Sequence, residues 1–125
     1  MQENSQKKNK RQIGTDYETV AAEYLKQKGY TILRRNYRNP YGEIDIIAKD
    51  GETIVFCEIK YRGGKGYGDP LEAVDIRKQR RISKVALYYT AAWENAGNVF
   101  YRFDVIGIYG DGRVEHIENA FYFQR

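Results

Sequence analysis

The chain has 125 residues, of which 42% are hydrophobic and 30% are charged, a size that suits one domain around one core. Its apolar runs fall short of the roughly 18 residues that a membrane span needs, and the polar amino terminus lacks a secretory signal, so we expect a cytoplasmic protein with no membrane partner. One cysteine and one histidine exclude an internal disulfide and a Cys/His zinc cluster, so a catalytic metal would need oxygen ligands.

The positive charge is distributed unevenly along the chain. The formal net charge is +4, but most of it belongs to residues 1–12, which lack periodicity and which we expect to form a disordered basic tail. The rest, 13–125, is predicted to be one folded domain. Five positive charges fall within 77–84, which is typical of a surface that meets a polyanion, although a single charge run is more often a solvated face.

The hydrophobic pattern predicts an alternation of helices and strands. In chain order these are a helix at 13–28, strands at 30–38, 43–49 and 53–61, a glycine-rich loop at 62–68, a helix at 71–95 and strands at 99–109 and 113–117. Gly29 is expected to end the first helix, and Asp69-Pro70 or Asp75 to begin the second. This order predicts an α/β domain in which helices flank a mixed central sheet of four to five strands.

The dipeptide Asp50-Gly51 indicates a hairpin between the second and third strands. If the loop is symmetric about these two residues, Asp45 lies opposite Phe56. Because side chains alternate between the faces of a strand, one face of the hairpin is then apolar and suited to cover by a helix. The residues of that face are Ile44, Ile46, Ala48, Val55, Cys57 and Ile59.

The other face of the hairpin gathers three carboxylates and an amine, from Glu43, Asp45, Glu58 and Lys60. Neighbouring carboxylates raise one another's pKa unless a cation neutralises them, and Mg²⁺ binds one or two carboxylates together with waters and phosphate oxygens. Asp45 and Glu58 are therefore candidate metal ligands, and Lys60 could position or deprotonate a water. The alternative is a cross-strand salt bridge, since a Glu-x-Lys pattern in a strand is common by chance.

The second helix places Lys78 on its apolar stripe, so this lysine points toward the sheet. Lys78 either extends along the apolar surface with its amine in water or reaches the carboxylates and stabilises a transition state. Arg77 and Lys84 lie on the opposite side of the helix, and Arg81 lies at the border.

The first helix places Glu18 at the border of its apolar stripe. Thr15 and Glu18 fit a capping box, which would give Glu18 a structural role. If the helix instead begins before Gly14, Glu18 is free to face the site. No phosphate-binding loop of the P-loop type and no Ser-His-Asp triad can be drawn from this sequence.

With these motifs in view, the chain resembles the YraN family of small bacterial predicted endonucleases and, beyond it, the PD-(D/E)xK nucleases, which include archaeal Holliday junction resolvases. The shared motifs are G-x-x-x-E at Gly14 and Glu18, RRNYR at 34–38, GEIDIIA at 42–48, FCEIKYR at 56–62, G-x-P-x-E-A at 68–73 and K-x-x-R at 78–81. The resemblance implies a restriction-endonuclease-like fold, Asp45 and Glu58 as ligands of Mg²⁺ or Mn²⁺, Lys60 as the active-site lysine and Glu18 as a helix-borne acid. Ile44 stands where the superfamily often has proline.

The sequence therefore predicts a metal-dependent endonuclease that cleaves DNA, on branched or distorted structures, with Lys78 stabilising developing charge. The residues expected to contact nucleic acid are Arg34, Arg35, Arg38, Tyr61, Arg62, Lys65, Arg77, Arg81 and Lys84. A homodimer is expected by analogy with resolvases, which usually need two active sites. One alternative is a nucleic-acid-binding module without catalysis, and another is an adaptor that docks protein through its basic helix.

Overall fold

The computed structural model describes residues 10–62, 70–92 and 100–125. Its elements are helix α1 (Lys10–Gln27), strands β1 (Thr31–Asn39), β2 (Gly42–Asp50) and β3 (Thr53–Arg62), a short 3₁₀ helix (Pro70–Ala73), helix α2 (Ile76–Ala91) and strands β4 (Phe100–Tyr109) and β5 (Val114–Phe121). The predicted order of helices and strands is confirmed.

The five strands form one sheet in the order β1-β2-β3-β4-β5. Strands β3 and β4 are parallel, and the other neighbouring pairs are antiparallel. A parallel pair needs a long crossover between its strands, and α2 lies within that connection. The result is the expected α/β domain with a mixed sheet, and it is consistent with a restriction-endonuclease-like fold.

Each face of the sheet is covered by one helix. On one face, α1 contributes Ala21, Ala22 and Leu25 to a cluster with alternate residues of the central strands, such as Val55. On the other face, α2 contributes Ile82, Val85 and Ala86 to a second cluster that includes Ile47, Phe56 and Val105. Since burial of an aliphatic side chain stabilises a fold by about 1.5–3 kcal/mol, these two clusters hold the helices against the sheet.

Helix α1 begins at Lys10, earlier than the predicted residue 13 and before Gly14. Glu18 therefore lies well inside the helix and does not occupy the third position of a capping box. The helix ends as predicted, because Gly29 adopts φ +95° and the backbone N–H of Tyr30 donates to the carbonyl of Leu25, the bond of a Schellman cap. Among the described residues, neither helix has the length and apolarity to cross a bilayer.

The second helix, predicted at roughly 71–95, begins later than residue 71. A 3₁₀ turn occupies Pro70–Ala73, and α2 begins only at Ile76. Asp75 has extended backbone angles, and its side chain accepts a hydrogen bond from the backbone N–H of Lys78 at 2.9 Å. This N-cap satisfies a backbone donor that has no partner inside the helix, so the second of the two predicted start points is the one used. Residues 93–95 lie outside the described residues.

The predicted hairpin register is wrong by two residues. Asp50 pairs with Thr53 and Ile47 with Phe56, so the loop consists of residues 51 and 52. Gly51 has φ +61°, whereas its neighbours on either side have negative φ, and a two-residue loop with glycine first is typical of a type II′ turn. A shift by two keeps the side chains of the paired residues on their predicted faces, and it brings Asp45 level with Glu58 in place of Phe56.

Ile44 lies on a different face of the sheet from the one predicted. It packs in the cluster beneath α2, whereas Ile46 packs in the cluster beneath α1. Two residues that are two positions apart in a regular strand share a face, so the alternation of β2 is interrupted at Asp45. The interruption coincides with the end of pairing between β2 and β3.

Candidate active site

The central strands β2 and β3 separate at Asp45. Their pairing runs from Asp50 and Thr53 to Ile46 and Cys57, where it ends. Strand β3 nevertheless stays paired with β4 along its whole length, and β2 stays paired with β1 as far as Gly42. The two central strands therefore diverge, and residues on either side of the gap line a recess within the sheet.

This recess is a cavity of about 340 Å³. It is lined by Gly42, Glu43, Asp45, Glu58, Ile59, Lys60, Lys78, Arg81 and Ile82. Four of the five residues predicted to be catalytic are in this set, contributed by β2, β3 and α2. The parting of the strands thus gathers acids and amines that are distant in sequence.

Asp45 occupies the point at which the strands part. Its Oδ2 accepts a hydrogen bond from the backbone N–H of Ile59 at 2.8 Å, so the side chain replaces a lost backbone acceptor. Burial raises the pKa of Asp45 to about 7, and the negative charge of Glu58 contributes to the rise. A bound cation would favour the ionised form of this carboxylate and offset both effects.

Glu58 is buried and lies between two lysines. The Nζ atom of Lys78 is 2.5 Å from Oε2 of Glu58, and Nζ of Lys60 is 3.6 Å from the same oxygen. Lys78 therefore reaches from the first turn of α2 to β3, which is the orientation that the apolar stripe of α2 predicts.

The two lysines differ in the direction of their pKa shifts. Burial and a hydrogen bond with Lys78 lower the pKa of Lys60, and the attraction to Glu58 offsets this only in part. Burial alone would lower the pKa of Lys78 as well, but its hydrogen bond and attraction to Glu58 leave that pKa raised. Lys60 is consequently the more easily deprotonated amine of the pair.

Glu18 does not line the cavity. Its Oε1 lies 3.4 Å from Nε of Arg35, and Nη2 of Arg35 donates to Oγ1 of Thr19 at 3.0 Å. Burial raises the pKa of Glu18, and Arg35 opposes the rise. The charge of Glu18 still contributes to the raised pKa of Asp45, so this acid lies close to the site without facing into it.

The cavity suits a hard divalent cation that keeps several waters. Within residues 10–62, 70–92 and 100–125, no three His, Cys, Asp or Glu side chains converge to hold a metal by themselves. Mg²⁺ does not require such a cage, because it commonly binds one or two carboxylates and completes its shell with water and phosphate oxygens. Asp45 and Glu58 supply two carboxylates of the appropriate chemistry.

Comparison with known proteins shows a family match for the chain. The model of "Uncharacterised protein family UPF0102" matches residues 17–108. The chain belongs to the UPF0102 family. A UPF0102 protein of Thermodesulfovibrio yellowstonii is 48% identical over 111 residues, 89% of this chain and 96% of that protein. One from Caldicellulosiruptor saccharolyticus is 45% identical over 118 residues, 90% and 99% of the two chains, and one from Vibrio parahaemolyticus is 43% identical over 112 residues, 89% and 93% of them.

The UPF0102 match covers every residue of the cavity as well as Glu18. The family resemblance that the sequence motifs indicated is therefore confirmed. The family description carries no activity, so a function for this UPF0102 member has to be argued from the geometry of the cavity.

The arginines of β1 contact different residues. Arg35 binds Glu18, as described above, and Arg38 lies 3.4 Å from Glu43 with most of its side chain exposed. The guanidinium of Arg34 lies over the ring of Tyr37. Only Arg38 is thus both exposed and beside a residue of the cavity.

The other residues predicted to contact nucleic acid are divided between α2 and the end of β3. Arg77, Arg81 and Lys84 are exposed on α2, and of these only Arg81 lines the cavity. Tyr61 and Arg62 end β3, immediately after Lys60. Lys65 lies outside the described residues.

Gly42 is a site residue that the sequence reasoning missed. It adopts φ +146°, and a Cβ at this position would lie 3.2 Å from Cδ of Arg81 and 3.3 Å from Cγ2 of Val85. Glycine therefore lets the start of β2 approach α2 closely at the rim of the cavity. The signal in the sequence was the glycine that opens the GEIDIIA motif.

Proposed function

We propose that the cavity is the active site of a metal-dependent endonuclease of the PD-(D/E)xK type, which hydrolyses phosphodiester bonds of DNA in the cytoplasm. The observation that carries the proposal is the convergence of Asp45, Glu58, Lys60 and Lys78 in one recess. Phosphoryl transfer depends mainly on positioning and on stabilisation of negative charge, and this recess offers carboxylates for a cation and amines for a phosphate.

Asp45 and Glu58 would hold Mg²⁺ or Mn²⁺. When bound, such an ion polarises a phosphoryl oxygen and lowers the pKa of a coordinated water. The mutual repulsion of the two carboxylates, which contributes to the raised pKa of Asp45, supports a cation as their partner.

Lys60 would take the proton of the attacking water. A lysine must be deprotonated before it can act as a general base, and the lowered pKa of Lys60 increases its neutral fraction near neutral pH. As the water oxygen bonds to phosphorus, its proton passes to Nζ of Lys60, and one ester oxygen leaves with the electron pair of the broken bond.

Lys78 would remain protonated and contact a non-bridging oxygen of the phosphate. Its raised pKa keeps the charge on the amine, and a fixed cation beside the developing negative charge lowers the barrier. Arg38, Arg81 and the exposed cations of α2 would provide contacts with the DNA backbone, whereas Arg35 pairs with Glu18 beside the site.

The test is cleavage of a panel of labelled single-stranded, duplex and four-way DNA substrates with Mg²⁺ or Mn²⁺. We expect Asp45→Ala and Glu58→Gln to abolish cleavage and to leave DNA binding largely intact. Glu23→Gln is a matched control, because Glu23 is an exposed acid of α1 with a surface partner, Lys26, and this variant should cleave normally.

Equal cleavage by parent and Asp45→Ala would contradict the assignment of the site. DNA binding that EDTA leaves unchanged, with no cleavage by the parent under any condition, would favour a non-catalytic nucleic-acid-binding module. Absence of any DNA binding at moderate salt would favour the protein adaptor. The mass of the protein in solution tests the homodimer expected for a resolvase-like enzyme.

A further inference from the structure

Two tyrosines form a flat stack beside the proposed active site. The rings of Tyr17 and Tyr61 have centroids 4.0 Å apart and planes only 9° from parallel. Tyr17 directly precedes Glu18 on α1, and Tyr61 directly follows Lys60 on β3. Each ring is thus fixed to an element that also carries a residue of the site or its surroundings.

The stack is not fully explained by packing of the core. Tyr17 is partly buried against the cluster beneath α1, but 44% of Tyr61 is exposed. Tyr17 covers one face of the Tyr61 ring, so the exposed surface comprises the other face and the ring edge. Interaction with the Tyr61 side chain and burial raise the pKa of Tyr17 to about 12, as expected for two phenols in close contact.

A parallel pair of rings with one open face is suited to bind a third planar group. Offset-stacked rings stabilise one another, and a ring held rigidly by its neighbour loses little entropy when a ligand stacks on it. Successive side chains of a strand point to opposite faces of the sheet, so the ring of Tyr61 lies on the face that α1 covers, whereas Lys60 lies beside Glu58 and Lys78. The stack adjoins Glu18 of α1, whose charge contributes to the raised pKa of Asp45, so it flanks the proposed active site from the α1 side.

Only an unpaired base can use such a platform. In a continuous duplex both faces of each base are covered by neighbouring base pairs, so stacking on a protein ring requires a base that has left the helix. We propose that the Tyr17–Tyr61 stack binds an unpaired nucleobase on the α1 side of the proposed active site, so that the substrates are DNA structures with single-stranded character. This inference rests on the proposed endonuclease function and narrows its substrate class.

The test measures DNA affinity in EDTA, without cleavage, by fluorescence anisotropy of one oligonucleotide as a single strand and as a duplex. Tyr61→Ala should weaken single-strand binding roughly 5- to 100-fold, as expected for the loss of one stacked base, and change duplex binding less than about twofold. Tyr61→Phe keeps the ring and should bind like the parent. Tyr122→Ala removes a tyrosine that is 76% exposed near the carboxyl terminus and should have no effect.

A single strand with one abasic nucleotide provides a second, independent measurement. If the missing base is the one that stacks, moving the abasic nucleotide along the strand should reveal one position that weakens binding by the parent. That position should have little further effect on Tyr61→Ala, because both changes remove the same contact. Tyr61→Leu, which keeps apolar cover for Tyr17, controls for local unfolding.

The inference is overturned if Tyr61→Ala and Tyr61→Leu bind single strands as the parent does, or if they weaken single-strand and duplex binding equally. These outcomes can be separated from failure of the proposed nuclease. Cleavage that depends on Asp45, with no effect of Tyr61 on affinity, would refute the platform alone. A Tyr61-dependent preference for single strands, with no cleavage of any substrate, would refute the nuclease alone.

Discussion

Replacement of Lys78 by methionine should tighten metal binding while slowing cleavage. In the metal-free protein, the ammonium group of Lys78 lies 2.5 Å from Oε2 of Glu58, with side-chain exposures of only 27% and 9%. Lys78 thereby occupies part of the space around a carboxylate that the proposed metal would use. Methionine has a similar length and no charge, so it removes the competing cation with little loss of volume.

The expected change in metal affinity follows from the free energy of the ion pair between Lys78 and Glu58. Two unit charges 4 Å apart attract by about 4 kcal/mol at an effective dielectric constant of about 20, but desolvation removes much of that gain. A hydrogen bond to a charged group retains about 1.5–3 kcal/mol. If metal binding has to break this hydrogen bond, then Lys78→Met, which removes the bond, should lower the dissociation constant of the metal roughly 10- to 100-fold.

The assay is Mn²⁺ binding to the full-length, metal-free protein, followed by electron paramagnetic resonance or calorimetry, in parallel with DNA cleavage. Lys84→Met is the matched control, since Lys84 is an exposed lysine of the same helix and lies beside Leu87 and Tyr88. It imposes the same change in net charge. The expected result is tighter Mn²⁺ binding by Lys78→Met but not by Lys84→Met, together with slower cleavage by Lys78→Met. Equal or weaker Mn²⁺ binding by Lys78→Met, relative to Lys84→Met, would refute the competition.

Two further substitutions test the cost of the site's geometry. Asp45→Asn should stabilise the metal-free protein against urea near pH 8. The pKa of Asp45 rises on folding from 3.8 to about 7, so the free energy of unfolding of the parent falls as the pH rises through that range. Asparagine cannot ionise and avoids this loss. The gain in the free energy of unfolding is at most about 4 kcal/mol and should vanish near pH 4. A gain that does not depend on pH would show that the ionisation of Asp45 is not its cause. Gly42→Ala should destabilise the fold by about 1–3 kcal/mol in urea unfolding, because the new Cβ meets Arg81 at 3.2 Å and the φ is positive. Gly112→Ala, at φ +92° with open space around it, should cost less, and equal losses would remove the steric argument.

The residues that form the site were predictable because their orientation depends on the periodicity of strands and helices. Strand residues alternate with a period of two, so a register error of two residues left Asp45 and Glu58 on the same side. Helical periodicity likewise predicted that Lys78 points toward the sheet. These rules hold for short segments and need no knowledge of the rest of the fold.

The shape of the site was not predictable in the same way. Pairing of β2 and β3 ends at Ile46 and Cys57, close to the point where Ile44 turns to pack beneath α2. The position of α2 depends on the whole sheet. The contact between Arg35 and Glu18 also depends on how α1 crosses β1. Local patterns identified these side chains, but tertiary packing decides which of them face the cavity.

The parting of β2 and β3 also explains why the site can hold repelling acids. A strand that loses its neighbour leaves backbone donors without acceptors, and each unsatisfied buried donor costs about 1–3 kcal/mol. Oδ2 of Asp45 accepts the N–H of Ile59, and Oε2 of Glu58 accepts Lys78. Each carboxylate thus uses one oxygen to stabilise the opened sheet and has a second with which to bind a cation. Asp45 and Glu58 would hold a cation between the parted strands, and its charge would offset the repulsion of the two acids there.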